Sequence, residues 1–169
     1  LFNRALIYSD LEQHQKAIDD LELVINRAPQ LAHPHIIQAR SNLKIGRDQS
    51  AISDFSYAIR LMPDNPEFLV ERAAVYVSNK LFSQAILDLD NALILEPNSP
   101  QIIFQRGEAF QKSGQHESAI NDYTKAISID SSFKEAYRNR SLSYLALDID
   151  QLALIDIQKA EQLGDRSMY

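Results

Sequence analysis

The chain repeats itself every 34 residues, and this period constrains its fold more than any other feature of the sequence. An alanine followed by an aliphatic residue recurs at this spacing, and we call these five residues the anchor alanines: Ala17, Ala51, Ala85, Ala119 and Ala153. A fixed period of this length is typical of repeat proteins in which each unit stacks on its neighbours. We therefore predict a single domain of five tandem repeats, at about residues 1–31, 32–65, 66–99, 100–133 and 134–169.

Each repeat has the pattern of two α-helices. Its apolar residues recur at spacings of three and four, which places them on one face of a helix. Small residues share one repeat position, namely Ala5, Ala39, Ala73, Gly107 and Ser141, and large residues share another, namely Leu21, Phe55, Leu89, Tyr123 and Ile157. Short side chains let antiparallel helices approach closely, while bulky ones fill the grooves beside them. We predict an all-α solenoid of about ten antiparallel helices.

Proline follows the second helix in three repeats, at Pro29, Pro63 and Pro97, and ends it because proline has no amide donor. With the period and the alternation of small and large positions, these prolines make nearly the whole chain resemble the tetratricopeptide repeat family. The resemblance implies a right-handed α-α superhelix that binds a protein or peptide along its first helices. Departures from the family pattern are the lack of tryptophan, Asn42 at an aromatic position and Ser131 in place of a fourth proline.

Composition argues against several classes of partner. The chain has 17 basic and 23 acidic residues, a formal net charge of -6, so it has no general attraction for phosphate backbones, and we expect no nucleic-acid partner. The charge and the unbroken period of 34 also argue against pentatricopeptide repeats, which bind RNA. No apolar run approaches the roughly 20 residues of a membrane span, so we expect no membrane insertion. The absence of cysteine leaves the compartment open, with the cytoplasm only as a default.

The sequence contains no arrangement of residues that is typical of an enzyme. It lacks a glycine-rich phosphate loop and the GxSxG, HExxH and EF-hand patterns. His33 and His35 flank Pro34, but no third metal ligand lies near them in the sequence, and a proline there is typical of a helix start. We expect no enzyme activity, no cofactor and no metal.

Two columns of charge run through the repeats. An aspartate lies three residues after each anchor alanine, and these are Asp20, Asp54, Asp88, Asp122 and Asp156. In four repeats an arginine lies thirteen residues before the anchor alanine, and these are Arg4, Arg72, Arg106 and Arg140; the second repeat has Gln38 there. Catalysis needs one constellation of residues, whereas these charges recur. We therefore predict structural ion pairs within a repeat or between neighbours, and keep ligand capture by the row of charges as the alternative.

The resemblance implies a partner-binding groove on the first helices. Its predicted lining is Phe2, Leu6, Ile36, Arg40, Lys44, Val70, Val77, Phe104, Glu108, Lys112, Arg138 and Leu142. Apolar side chains on a face open to water indicate a binding surface, and the cations would fix an apolar or amphipathic segment. Packing of the apolar members between adjacent first helices stays open. The lysine and asparagine pair with which some relatives hold chaperone tails is absent from the equivalent positions, so we do not predict that partner.

We predict a scaffold or adaptor for protein–protein interaction that performs no catalysis. One alternative is a self-assembly or spacer module, because Leu1, Phe2, Leu6 and Ile7 form an apolar edge through which copies could form a homo-oligomer. Another is the adaptor domain of an enzyme whose catalytic part is absent. Leu1 falls within a predicted helix, so we expect a fragment of a longer protein; Lys159, Glu161 and Gly164 predict a more polar face that closes the array.

Overall fold

The computed structural model describes residues 1–165, and within them the chain forms ten α-helices and no strand. The helices are α1 (Phe2–Asp10), α2 (His14–Arg27), α3 (Ala32–Lys44), α4 (Asp48–Leu61), α5 (Pro66–Ser78), α6 (Phe82–Leu95), α7 (Pro100–Lys112), α8 (His116–Ile129), α9 (Lys134–Leu145) and α10 (Asp150–Asp165). Two helices fall within each predicted repeat, and the all-α prediction is confirmed.

The turn between the two helices has the same backbone geometry in every repeat. One residue in each turn has a positive φ, and these residues are 34 apart: Glu12, Gly46, Lys80, Gly114 and Asp148. The amide after each of them donates to a carbonyl five residues earlier, over 2.8 to 2.9 Å. This bond satisfies an orphan carbonyl at the end of the first helix, as in the Schellman motif. The periodic fold therefore imposes the left-handed conformation even where the residue is not glycine.

The second helices end at equivalent positions whether or not a proline follows. Helices α2, α4 and α6 end two residues before Pro29, Pro63 and Pro97. Helix α8 ends at Ile129, two residues before Ser131. There the Asp130 carboxylate accepts hydrogen bonds from the amide and the hydroxyl of Ser132, at 2.9 and 2.6 Å. These bonds lower the pKa of Asp130. An aspartate-centred turn thus stands where the proline is missing.

The chain forms two compact units, the first spanning Leu1–Val75 and the second beginning at Tyr76. All five anchor alanines are fully buried. In the first unit, Ala5, Ala17 and Leu21 form a core cluster against which Phe2 and Tyr8 pack. In the second unit, a cluster joins α7 and α8 to α9 through the following residues: Ile103, Phe104, Ala119, Tyr123, Ala126 and Ala136. In the first and fourth repeats, the small and large positions predicted from the sequence therefore lie in the helix interfaces.

Helices α7 and α8 approach so closely at Gly107 that an added methyl group would overlap a buried ring. A Cβ atom there would lie 2.7 Å from Cε1 of Tyr123, whose side chain is fully buried. The first repeat has Ala5 and Leu21 at the equivalent positions. The fourth repeat thus combines the smallest residue with a large partner.

We expect Gly107→Ala to lower the free energy of unfolding by about 1–3 kcal/mol, because the buried Tyr123 ring must shift. Adding Tyr123→Leu should make the total loss smaller than the sum of the two single losses. Urea denaturation of the four proteins measures this coupling. A Gly107→Ala variant as stable as wild type would mean that the helix propensity of alanine outweighs the overlap, and would contradict the expectation.

Candidate functional site

The predicted ion pair is present in the first, fourth and fifth repeats. The pairs are Arg4 with Asp20, Arg106 with Asp122 and Arg140 with Asp156. In each pair, Nε and Nη2 of the arginine donate to the two carboxylate oxygens over 2.6 to 2.7 Å. The three aspartates are buried, so the guanidinium compensates a carboxylate that has lost most of its water. The pairing with Arg4 lowers the pKa of Asp20.

The arginine also reaches the second helix of the preceding repeat. Its Nη1 donates to a residue two positions after that repeat's aspartate: Arg72 to Ser56, Arg106 to Asp90 and Arg140 to Thr124, over 2.6 to 2.9 Å. The side chains of Arg106 and Arg140, which also pair with the aspartate of their own repeat, therefore lie between two consecutive second helices and bind both. Because the guanidinium donors are used in these bonds, their role is structural, as the predicted ion pairs require, and they are not available to capture a ligand.

In the second repeat, amide side chains donate to the equivalent carboxylate in place of an arginine. Gln38 replaces it, and the Asp54 carboxylate accepts a hydrogen bond from Asn42 Nδ2 at 2.9 Å and a long one from Gln38 Nε2 at 3.5 Å. His35 Nδ1 lies 4.0 Å from the same carboxylate. Burial raises the pKa of Asp54 because amide donors do not supply the missing positive charge. Gln38 and Asn42 are both visible in the sequence as departures from the repeat pattern, but the sequence does not show that both donate to the same carboxylate.

The first-unit residues of the predicted groove have different environments. Ile36 is buried with 2% exposure, so it is corrected from a surface residue to a core residue. Arg40 is exposed but bound to Glu71 at 2.6 and 2.8 Å and to Glu67 at 3.1 Å, which raises its pKa. Lys44 is exposed. The half-buried members are Phe2, Leu6 and Val70.

The second-unit residues divide in a similar way. Phe104 is 7% exposed and lies with its ring centroid 4.8 Å from that of Phe133, so it too is corrected to the core. Glu108 is half-buried and accepts a hydrogen bond from Asn139 at 3.4 Å. The exposed members are Lys112, Arg138 and Leu142, and Val77 is half-buried. The alternative of packing between helices therefore holds for Ile36 and Phe104.

An open cleft of about 570 Å³ lies between α9 and α10. Its apolar lining is partly exposed: Leu142 by 51%, Leu145 by 44% and Ile157 by 37%. Arg138 also lines it, and Lys134 and Glu161 contribute further charges. The polar face expected at this end is thus corrected to a mainly apolar cleft, and α10 continues through Gly164. One repeat earlier, the equivalent residues of α7 and α8 pack against α9.

Two further features of residues 1–165 bear on function. Within that range, no three side chains of metal-ligating type are grouped as a metal site. His35, considered above as a ligand, is buried and stacks on Tyr57, with ring centroids 5.3 Å apart. None of the helices described combines the length and apolarity that crossing a membrane requires.

The chain is a series of helical hairpins with small buried residues in its helices, which defines it as a helical-repeat protein. Comparison with known proteins identifies the kind of repeat. A family model for the tetratricopeptide repeat matches residues 1–31 and 100–133. No curated protein sequence matches the chain.

Several solved structures share the fold at low sequence identity. A crystal structure of MamA is 20% identical, with a TM-score of 0.90 over 97% of this chain and 96% of that one. MamA (41-end) from Desulfovibrio magneticus RS-1 is 18% identical, with a TM-score of 0.84 and 96% of each chain covered. YrrB, described as a TPR protein with an unusual peptide-binding site, is 18% identical, with a TM-score of 0.83 over 99% of this chain and 86% of that one. Residues 1–31 and 100–133 are therefore similar in sequence to the tetratricopeptide repeat, and the chain shares the fold of solved tetratricopeptide repeat structures.

The opposite shifts of two equivalent aspartates predict opposite effects of pH. The pKa of Asp20 is lowered, so its carboxylate adds stability above the ordinary carboxyl pKa, and this stability is lost as the pH falls through the lowered value. The pKa of Asp54 is raised, so its contribution is full below the ordinary value and is lost as the pH rises through the raised value. Asparagine at either position removes the titration.

We expect the free energy of unfolding of wild type to exceed that of Asp20→Asn by a growing amount as the pH rises from about 3 to about 7. This range includes the ordinary carboxyl pKa. The difference between wild type and Asp54→Asn should move the other way. Urea denaturation at several pH values measures both. Slopes of the same sign would contradict the structural distinction between the two carboxylates.

Proposed function

We propose that this chain is a scaffold that binds a segment of another protein, and that the cleft between α9 and α10 is one of its binding surfaces. The exposed Leu142, Leu145 and Ile157 in that cleft carry the proposal, because clustered apolar side chains open to water mark interaction sites. YrrB, which shares the fold, is described as having a peptide-binding site. That likeness supports binding of a peptide segment in general, and not its position.

The cleft favours an amphipathic helix as the bound segment. One repeat earlier, Tyr123 and Ala126 pack against Ala136 of α9, so a surface built on this repeat pattern receives a helix. The apolar face of the segment would contact the leucines, and an acidic side chain would pair with Arg138 or Lys134. Binding on a helical groove of this kind uses apolar anchors at spacings of three and four.

Exposed cations elsewhere on the first helices extend the proposed surface within each unit. Lys44 in the first unit and Lys112 in the second are exposed and can pair with acidic residues of a partner. Arg40 is a weaker candidate because its guanidinium already pairs with Glu67 and Glu71. Ile36 and Phe104 have no part in the proposed surface, since both are buried.

The test selects helical peptides from a displayed random library and measures their affinities by titration calorimetry. Selected peptides should carry an apolar stripe and an acidic residue, and Arg138→Glu with Leu142→Ser should weaken their binding by about tenfold or more. Leu87→Ser is the matched control, because Leu87 is an exposed leucine of α6 (60% exposed) outside the cleft. Equal affinities for the three proteins would remove the cleft from the proposal.

Self-association is a second candidate, favoured by the apolar surface of α1 and of the turn after it. Leu1, Ile7 and Leu11 are 44, 56 and 60% exposed, and a second copy of the chain could cover them through a symmetric contact. The scaffold would then be a homo-oligomer. This candidate differs from segment binding because it needs no other protein.

Analytical ultracentrifugation distinguishes the two candidates. Self-association predicts a mass that rises above the 19.2 kDa of one chain with concentration, and a return to monomer in Ile7→Glu, because the charge would be buried in the contact. Ile94→Glu is the control, since Ile94 is a 74% exposed isoleucine of α6. A wild-type protein that stays monomeric at all concentrations tested would exclude this candidate.

A further inference from the structure

The repeats supply an internal standard for what an aspartate at this position binds. In the fourth repeat, Arg106 lies between two carboxylates: Asp122 of its own second helix, at 2.6 and 2.7 Å, and Asp90 of the preceding one, at 2.6 Å. The equivalent acids of the second repeat are Asp54 on α4 and Glu22 on α2. Gln38 stands where the arginine would be. The pair of acids is retained while the cation between them is missing.

Three acceptors around this position lack a full set of donors. Asp54 Oδ1 receives only the long 3.5 Å bond from Gln38. Gln38 Oε1 and His35 Nδ1 are buried and have no hydrogen-bond partner. His35 Nε2 lies 3.3 Å from the carbonyl oxygen of Pro29; since a carbonyl only accepts, Nε2 is the donor there, and Nδ1 is an acceptor when the ring carries this one proton. Such acceptors call for a ligand rich in N–H donors.

There is space for that ligand. Two open clefts of about 450 Å³ each adjoin at Gln38, Asp54 and Tyr57. Glu22 lines one of them and His35 the other. The clefts lie within the first unit, between α2 and α4.

Arg47 lines the same cleft as Glu22 but does not take the place of the missing cation. In the part of the chain that the structure describes, no ion pair joins Arg47 to Asp54 or Glu22. Tyr57 is engaged separately, since its ring stacks on His35 and lies 4.1 Å from the Arg60 guanidinium carbon. The carboxylates and the two unpartnered acceptors are therefore the groups left to bind a ligand.

We propose that the cleft at Gln38, Asp54 and Glu22 binds the guanidinium group of an arginine side chain presented by another protein. The bound group would lie between the two acids, as Arg106 does between Asp90 and Asp122. A guanidinium has five N–H donors and no acceptor, which matches a set of acceptors, and its planar fork matches a carboxylate better than an ammonium does. This site is formed between second helices, so it does not depend on the surface of α9 and α10 proposed above.

The test follows the side-chain amide NMR signals of Gln38 and Asn42 during titration with the blocked tripeptide acetyl-Gly-Arg-Gly-amide. The blocked form is used because a free carboxylate would face Glu22 and Asp54. The matched ligand has citrulline in place of arginine, which keeps the shape and removes the charge. We expect saturable shifts with the arginine peptide and none with the citrulline peptide.

Two variants make the test specific. Gln38→Arg restores the residue of the other repeats and should fill the site, so peptide binding should weaken by about tenfold or more while the melting temperature rises. Asp54→Asn should weaken binding by a similar factor. Circular dichroism confirms that both remain helical. Unchanged binding in either folded variant would overturn the proposal.

The remaining outcomes identify the source and the charge of the ligand. Free arginine binding as tightly as the blocked peptide would overturn the assignment to a protein partner and indicate a small molecule instead. Equal shifts with the citrulline peptide would mean that charge is not recognised, and would also overturn it. Neither outcome bears on peptide binding at α9 and α10, whose variants are separate.

Discussion

The close approach of helices at the anchor alanines is the constraint on which the rest of the structure depends. These alanines are fully buried, and a helix axis can come near another only where side chains are short. Once the separation is set, the neighbouring positions must fill the remaining volume, which is why Gly107 occurs with Tyr123 where Ala5 occurs with Leu21. In these two repeats the smaller residue occurs with the larger partner, so the two pairs fill a similar volume with different residue types.

That separation also fixes the turn and the charge columns. With both helices held at one distance, the connection has one geometry, so Lys80 and Asp148 adopt the positive φ of Gly46 and Gly114. The same register places arginine and aspartate opposite each other, and the aspartate is buried by the helices beside it. Burying that carboxylate is costly without a cation or several donors. The fold therefore creates an electrostatic requirement at the same position of each repeat.

The repeats, the helices and the ion pairs could be predicted from the sequence because each is a local pattern copied at a fixed period. The groove could be predicted only in part. Ile36 and Phe104 lie on first helices as expected, but they are buried, because a first helix must also pack on its neighbour. The engagement of Arg40 by Glu67 and Glu71 was hidden for a similar reason: it joins helices of different repeats, and only the packing of α3 beside α5 reveals it.

The second repeat shows why a departure from a repeat pattern is hard to interpret from sequence alone. Gln38 and Asn42 each look like the loss of a family residue, yet both amides donate to Asp54. The two neutral donors supply only part of the hydrogen bonding, one of them at 3.5 Å, and no positive charge, so burial continues to raise the pKa of that carboxylate. In the first, fourth and fifth repeats an arginine pairs with this aspartate, so the incomplete set of donors in the second repeat is a physical reason to look for a ligand there. In a repeat protein, the repeat that deviates from the pattern is therefore the place to look for a ligand-binding site, while the regular repeats hold it in place.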